Sequence, residues 1–145
     1  MANYQHILVG IDLSDESQQV FDRAQGLAQS HQAKLSLVHI IEPLTFAYGG
    51  DIPIDLSEIQ EQLHQQAKKH LAEFCQSAGI SNDQGHIVVG QPVAEIHRFA
   101  NELNVDLVVV GSHGRHGLAL LLGSTANGVL HGAHCDVLAV RVKDH

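Results

Sequence analysis

The sequence predicts an α/β fold, a single doubly wound, mostly parallel five-stranded sheet with helices on both faces. Three observations lead there. Five apolar runs of four to six residues recur along the 145-residue chain, the length of strands buried on both faces. The segments between several of them repeat apolar residues at steps of three or four, the spacing of an amphipathic helix. Apolar residues make up 44% of the chain and charged residues 17%, enough for a core and too little charge for disorder. A chain of this length buries roughly two-thirds of its unfolded surface in one compact unit, so residues 1–145 are expected to form a single domain.

The first strand is the run 7–11, Ile-Leu-Val-Gly-Ile. It ends in Asp12, Leu13 and Ser14, with Ser14 as the expected N-cap of a helix whose first turn carries Asp15 and Glu16. Val20, Ala24, Leu27 and Ala28 line one face of that helix. The second strand is 35–40, Leu-Ser-Leu-Val-His-Ile, followed by a loop over 42–53 that contains Pro43, Tyr48, Gly49 and Gly50. Asp55 and Glu58 resemble a capping box. They open a long helix with Ile59, Leu63, Ala67, Leu71, Phe74 and Ala78 on one stripe, closed by Gly79. The alternation continues with a strand at 86–89, a helix opened by Pro92 and carrying Val93, Ile96, Ala100 and Leu103, and a strand at 107–110. A helix near 124–133 and a strand at 137–140 complete the set.

A formal net charge of −8 disfavours nonspecific attraction to nucleic acid or anionic membranes. No apolar stretch approaches the roughly 20 residues that cross a bilayer, and the residues after Met1 do not resemble a secretory signal. The two cysteines, Cys75 and Cys135, lack paired spacing, which fits packing in a reducing compartment and so a cytoplasmic location.

In an open parallel sheet ligands bind beyond the carboxyl ends of the strands, where strand order reverses. Asp12, the stretch from Ile40 to Glu42, and Gly90 follow three of the strands. The fourth is followed by the richest segment, 111–125, which passes through Gly111, Gly114 and Gly117 and re-enters a helix at Gly123, Ser124 and Thr125. Glycines let backbone N–H groups approach an anion, and a helix start adds unpaired donors. The segment has neither the Gly-Lys-Ser/Thr of a Walker A loop nor the GxGxxG of a dinucleotide fingerprint. Its glycines alone leave phosphate binding and a plain tight turn equally open.

The resemblance is more specific. The run 7–14, the second strand at 37–40, and Val110, Gly111, Ser112, His113 and Gly114 with Gly123 and Ser124 resemble the universal stress protein family over nearly the whole chain. The glycine motif is most similar to that of its ATP-binding branch. The resemblance implies a Rossmann-like domain of the adenine nucleotide alpha hydrolase type, binding ATP or a related adenine nucleotide, with Mg²⁺ an accompanying ion. It implies that Gly111, Gly114, Gly123, Ser124 and Thr125 hold phosphates and ribose, and that Gly10, Asp12 and the backbone at Ile40 border base and sugar. One departure stands out: residues 115–122 number eight, whereas the family's motif has nine. Another branch lacks nucleotide binding, and generally lacks the glycine motif too.

Asp12 is read as a ligand to a ribose hydroxyl or to Mg²⁺, against a strand-end aspartate that caps backbone. Arg115 is either a phosphate counter-charge or a solvated loop arginine. Among twelve histidines, His113, His116, His131 and His134 form the densest group. Their i, i+3 spacing falls in a glycine-rich loop and at a helix end, where capping competes with metal binding. No catalytic set is legible beyond His113 beside the glycine segment. The expected function is therefore stress-responsive regulation by nucleotide binding and conformational change. A nucleotide-independent dimeric module and a weak ATPase are the alternatives. The family resemblance also implies a homodimer through the last strand, Asp136–Val142.

Overall fold

Strand β1 (His6–Gly10) lies at the centre of a five-stranded sheet, where its Ile7, Leu8 and Val9 are all fully inaccessible. The computed structural model describes residues 3–13, 17–42, 57–113 and 124–142. β2 (Lys34–Ile41), β3 (Gly85–Val89), β4 (Leu107–His113) and β5 (Asp136–Val142) complete the sheet in the order β3-β2-β1-β4-β5. Every pairing is parallel. The connections carry α1 (Ser17–His31), α2 (Ser57–Ala78), α3 (Pro92–Glu102) and α4 (Ser124–Leu130), with a short 3₁₀ turn at Asn82–Gln84 before β3.

Side-chain alternation sorts each strand between two cores. Ile7, Val9, Leu35, Leu37, Leu107, Val109, Val140 and Val142 pack with Phe21, Ala24 and Ala28 of α1 and Leu71 and Cys75 of α2. Leu8, Val38, Val108 and Val110 pack on the opposite face with Ile96 and Ala100 of α3 and Val129 of α4. With both faces covered, an alternating polar pattern has no place, which is why the strands read as continuous apolar runs.

The stripe read along α2 is only half used. Ala67, Leu71 and Cys75 are buried, whereas Ile59 and Leu63 are 47% and 38% exposed. Phe21, absent from the helical pattern read for α1, is fully buried and meets Phe74 of α2 edge-on at 5.4 Å. β4 runs to His113, three residues beyond the expected end at Val110, because β5 continues beside it through Gly111↔Val140 and His113↔Val142. Gly111 is thus a strand residue, not the first residue of a loop. A Cβ there would lie 3.0 Å from Val20 Cγ2 and 3.3 Å from Val142 Cγ2, so glycine lets α1 settle against β4. Helix α4 stops at Leu130, short of the expected 133, and Gly132 follows with φ +85°. Gly79 closes α2 with φ +77°, the left-handed conformation expected of a helix-ending glycine. Ser14, Asp15 and Glu16, Asp55, and the loop beyond Glu42 lie outside the described residues.

At the amino ends of the strands, Asp106 accepts from the backbone N–H groups of Gln5 (2.8 Å) and His6 (3.0 Å). The His6 ring bridges the Leu103 carbonyl (3.1 Å) and the Ser36 hydroxyl (2.8 Å). A carbonyl only accepts, so Nδ1 carries the proton and Nε2 accepts from Ser36. Nearby, the His86 ring meets Phe99 at 5.3 Å with the two rings tilted by 44°. Burial and then the neighbouring His6 push its basicity down. In the unfolded chain His86 takes a proton near the ordinary value of about 6.5; the folded protein resists this. Its contribution to stability is therefore complete above that value and is lost as pH falls toward the lower folded value. Urea midpoints measured between pH 7.5 and 5.5 should fall more steeply for the wild type than for His86→Gln. Equal slopes would show that His86 is not the group responsible.

Candidate functional site

β1 and β4 pair only through Ile7↔Leu107, Leu8↔Val108 and Val9↔Val109, then separate. Strand order reverses between them, since the chain leaves β1 toward β2 on one side and reaches β4 on the other. The gap opens a cavity of about 190 Å³ over the carboxyl ends of the sheet. Its lining includes the apolar Val38, Ile40, Ile96, Val110 and Val142, the glycines Gly10 and Gly111, and the polar Asp12, Ser17 and Glu42. Pockets for drug-sized ligands run from about 300 to 1,000 Å³. This one takes a single small group, such as a planar heterocycle, with anything attached to it projecting outward.

The polar side is built by the turn that follows β1. Ile11 is buried, and its N–H donates to the Val38 carbonyl at 3.0 Å. Its own carbonyl accepts from His39 Nδ1 at 2.9 Å. Asp12 is exposed, and its Oδ1 accepts from the hydroxyl of Ser17, a residue 2% exposed in the first described turn of α1, at 2.9 Å. Leu13 then takes φ 60°, a left-handed conformation that costs a bulky residue about 1 kcal/mol or more. The turn is held in place by bonds from β2 and α1 on either side of this strain.

Two carboxylates, Asp12 and Glu42, share the cavity lining. Like charges exclude a phosphate from this end of the site unless a cation intervenes. They favour a ligand group with hydrogen-bond donors, such as a sugar hydroxyl or a ring amine. α3 also reaches the cavity, beginning at Pro92, with Gln91 capping the Ala94 N–H at 2.9 Å. Pro92 and Ile96 present only apolar surface to the slot. An apolar slot with carboxylates along one rim suits an uncharged ring bearing a hydroxylated appendage.

Of the residues singled out in the sequence, Gly10, Asp12, Ile40 and Gly111 line this one cavity. His113 is the last residue of β4, and Ser124 and Thr125 begin α4. Gly114, Arg115, His116 and Gly123 lie outside the described residues. His131 and His134 are exposed beyond the end of α4, and among the described residues no three or more His, Cys, Asp or Glu side chains converge. Ser17, His39 and Ile96 were not among the sequence candidates. Ser17 was hidden because only folding brings it back to Asp12, five residues earlier. His39 was legible only as part of an apolar strand.

The model of the universal stress protein family matches residues 3–141. The chain belongs to the universal stress protein family. Universal stress protein A homolog 1 of Coxiella burnetii is 45% identical to it over 144 residues, covering 98% of this chain and 99% of the relative. A universal stress protein structure from Lactobacillus plantarum superposes with a TM-score of 0.76 at 28% identity, covering 97% and 100% of the two chains. A universal stress protein solved in complex with cAMP gives a TM-score of 0.63 at 31% identity, covering 96% and 98%. The family resemblance read in the sequence and the five-stranded α/β fold it implied are both confirmed. No helix among the described residues of this universal stress protein is long and apolar enough to cross a membrane.

Proposed function

We propose that the chain is an adenine-nucleotide-binding regulatory protein, with ATP as the leading ligand, that acts by binding and conformational change. The observation that carries this reading is the apolar slot at the reversal of strand order, with Asp12 fixed at its rim by Ser17. The slot matches one planar base, and a carboxylate at its rim matches the hydroxyls of the attached ribose. That a structural neighbour was solved in complex with cAMP supports an adenine-nucleotide reading. The cavity's acid-lined rim sends the phosphates elsewhere, and the glycine-rich segment provides the destination. On this reading the backbone along Gly111, Gly114 and Gly123, with Ser124 and Thr125, donates to the phosphates, His113 and Arg115 flank them, and Mg²⁺ accompanies them.

The same reading includes a homodimer. β5 lies at the edge of the sheet, and an edge of seven residues is open to pairing with a second copy. Two unpaired cysteines, one buried and one half-buried, fit residence in the cytoplasm.

Calorimetric titration of the purified protein with Mg-ATP and with cAMP tests the reading. Saturable heat with at least one of them is expected, and light scattering of the same sample should give twice the chain mass. Absence of heat and of any thermal shift with both ligands would move the assignment to a nucleotide-independent module. A monomer at micromolar concentration would remove the dimer.

A further inference from the structure

We infer that His39 is a positioning residue for the ligand site: its imidazole, donating from Nδ1, holds the turn that presents Asp12. The inference rests on the nucleotide-binding reading above and adds to it a residue that does not line the cavity. β1 ends at Gly10, and its pairing with β4 has already ended at Val9. Ile11 therefore lies where the sheet no longer restrains the chain from both sides, yet Asp12 has to stand at a fixed place on the cavity rim. Two contacts from β2 restrain it there, the last bond of the β1–β2 ladder and one from a side chain. The Val38 carbonyl takes the Ile11 N–H at 3.0 Å, and His39 Nδ1 lies 2.9 Å from the Ile11 carbonyl oxygen. The first fixes the Gly10–Ile11 peptide and the second, from His39, fixes the Ile11–Asp12 peptide from which Asp12 departs.

Two further facts make the second contact matter. The carbonyl accepts and cannot donate, so Nδ1 has to carry the imidazole proton, the less favoured tautomer of free neutral histidine. And the turn passes directly into Leu13 at φ 60°, a conformation that relaxes unless neighbouring contacts over-determine it. Ser17 restrains the turn through the Asp12 side chain, and His39 restrains it through the backbone. His39 lies in the chain between Val38 and Ile40, two residues that line the cavity, and points to the opposite face of β2 from them. The strand that shapes the apolar wall thus also aims the carboxylate facing it.

The test compares three variants by ATP titration, with thermal melting as a check on folding. In His39→Asn the side-chain amide places an N–H close to where Nδ1–H stands, and affinity should stay within about 3-fold of wild type. In His39→Gln the amide reaches the Nε2 position instead, and in His39→Ala the donor is gone. Both should bind about tenfold more weakly, the equivalent of one hydrogen bond. Adding His39→Ala to Asp12→Ala should cost little more, since the turn then has no carboxylate to aim. The imidazole ¹⁵N spectrum of the wild type supplies a readout independent of any substitution, with the proton expected on Nδ1. Equal affinities of the Asn and Gln variants at equal melting temperature would overturn the inference while leaving nucleotide binding intact, as would a ring that carries no proton on Nδ1. Wild-type protein that binds no adenine nucleotide would overturn both.

Discussion

Replacing Phe21 by alanine is expected to cost about 3–5 kcal/mol of folding stability. Phe21 is fully buried between α1 and the sheet and meets Phe74 edge-on at 5.4 Å with the rings perpendicular. The substitution removes the apolar transfer energy of a ring and leaves a hole that the rest of its core cluster fills only in part. Set against a typical total stability of about 5–15 kcal/mol, that loss takes up a large part of the margin. Urea denaturation measures it directly. A double-mutant cycle with Phe74→Ala should return a coupling of about 0.5–1.5 kcal/mol for the ring pair. A cost below about 1 kcal/mol for Phe21→Ala would mean that α1 does not seal this core as described.

The expected contrast is Ile59→Ala on α2. Ile59 belongs to the apolar stripe that the sequence displays most clearly, yet it is 47% exposed, and its loss should change stability by no more than about 0.5 kcal/mol. The pair shows what a single sequence can and cannot reveal. Periodicity identifies which face of a helix is apolar, and it did so for Ala67 and Leu71. It does not say how far along the helix the sheet extends to cover that face. Phe21 has the opposite problem: its neighbours in sequence, Asp22 and Arg23, break the local pattern, and only the arrival of α2 with Phe74 gives the ring its partner.

Strand identity was more legible than helix coverage for a physical reason. A strand buried on both faces is apolar at every position, so Leu8 and Val9 announce themselves without any knowledge of the partner strands. Strand ends were less legible. β4 continues through Gly111, Ser112 and His113 because β5 runs beside them, and nothing local to a Gly-Ser-His step indicates a strand. The site followed the same division. Gly10, Asp12, Ile40 and Gly111 were accessible to reasoning because ligands gather at the carboxyl ends of parallel strands, which is a rule about topology. Ser17 and His39 act through geometry, a hydroxyl turned back on a carboxylate and a ring reaching across to the next strand's backbone. Neither contact has a sequence spacing that marks it.

Gly10 offers the strongest test of the cavity itself, and Gly10→Val is expected to weaken adenine-nucleotide binding by at least about tenfold while leaving the fold intact. A Cβ at this position would sit 3.4 Å from Ile96 Cδ1 and 3.5 Å from Val110 Cγ1, ordinary contact distances that the backbone accommodates. The two further methyl groups of valine have to go somewhere, and the open space beside Gly10 is the cavity of about 190 Å³. Each methyl removes volume from a slot that takes a single planar base, so the base is displaced from Val38, Ile40 and Ile96. Stability should move little, because valine suits a strand end and fills apolar space that was already shielded. Titration with Mg-ATP and a thermal melt on the same preparation separate the two effects. Unchanged affinity in a folded Gly10→Val protein would place the ligand outside this cavity, and a protein that unfolds would show that Ile96 and Val110 have no room to give.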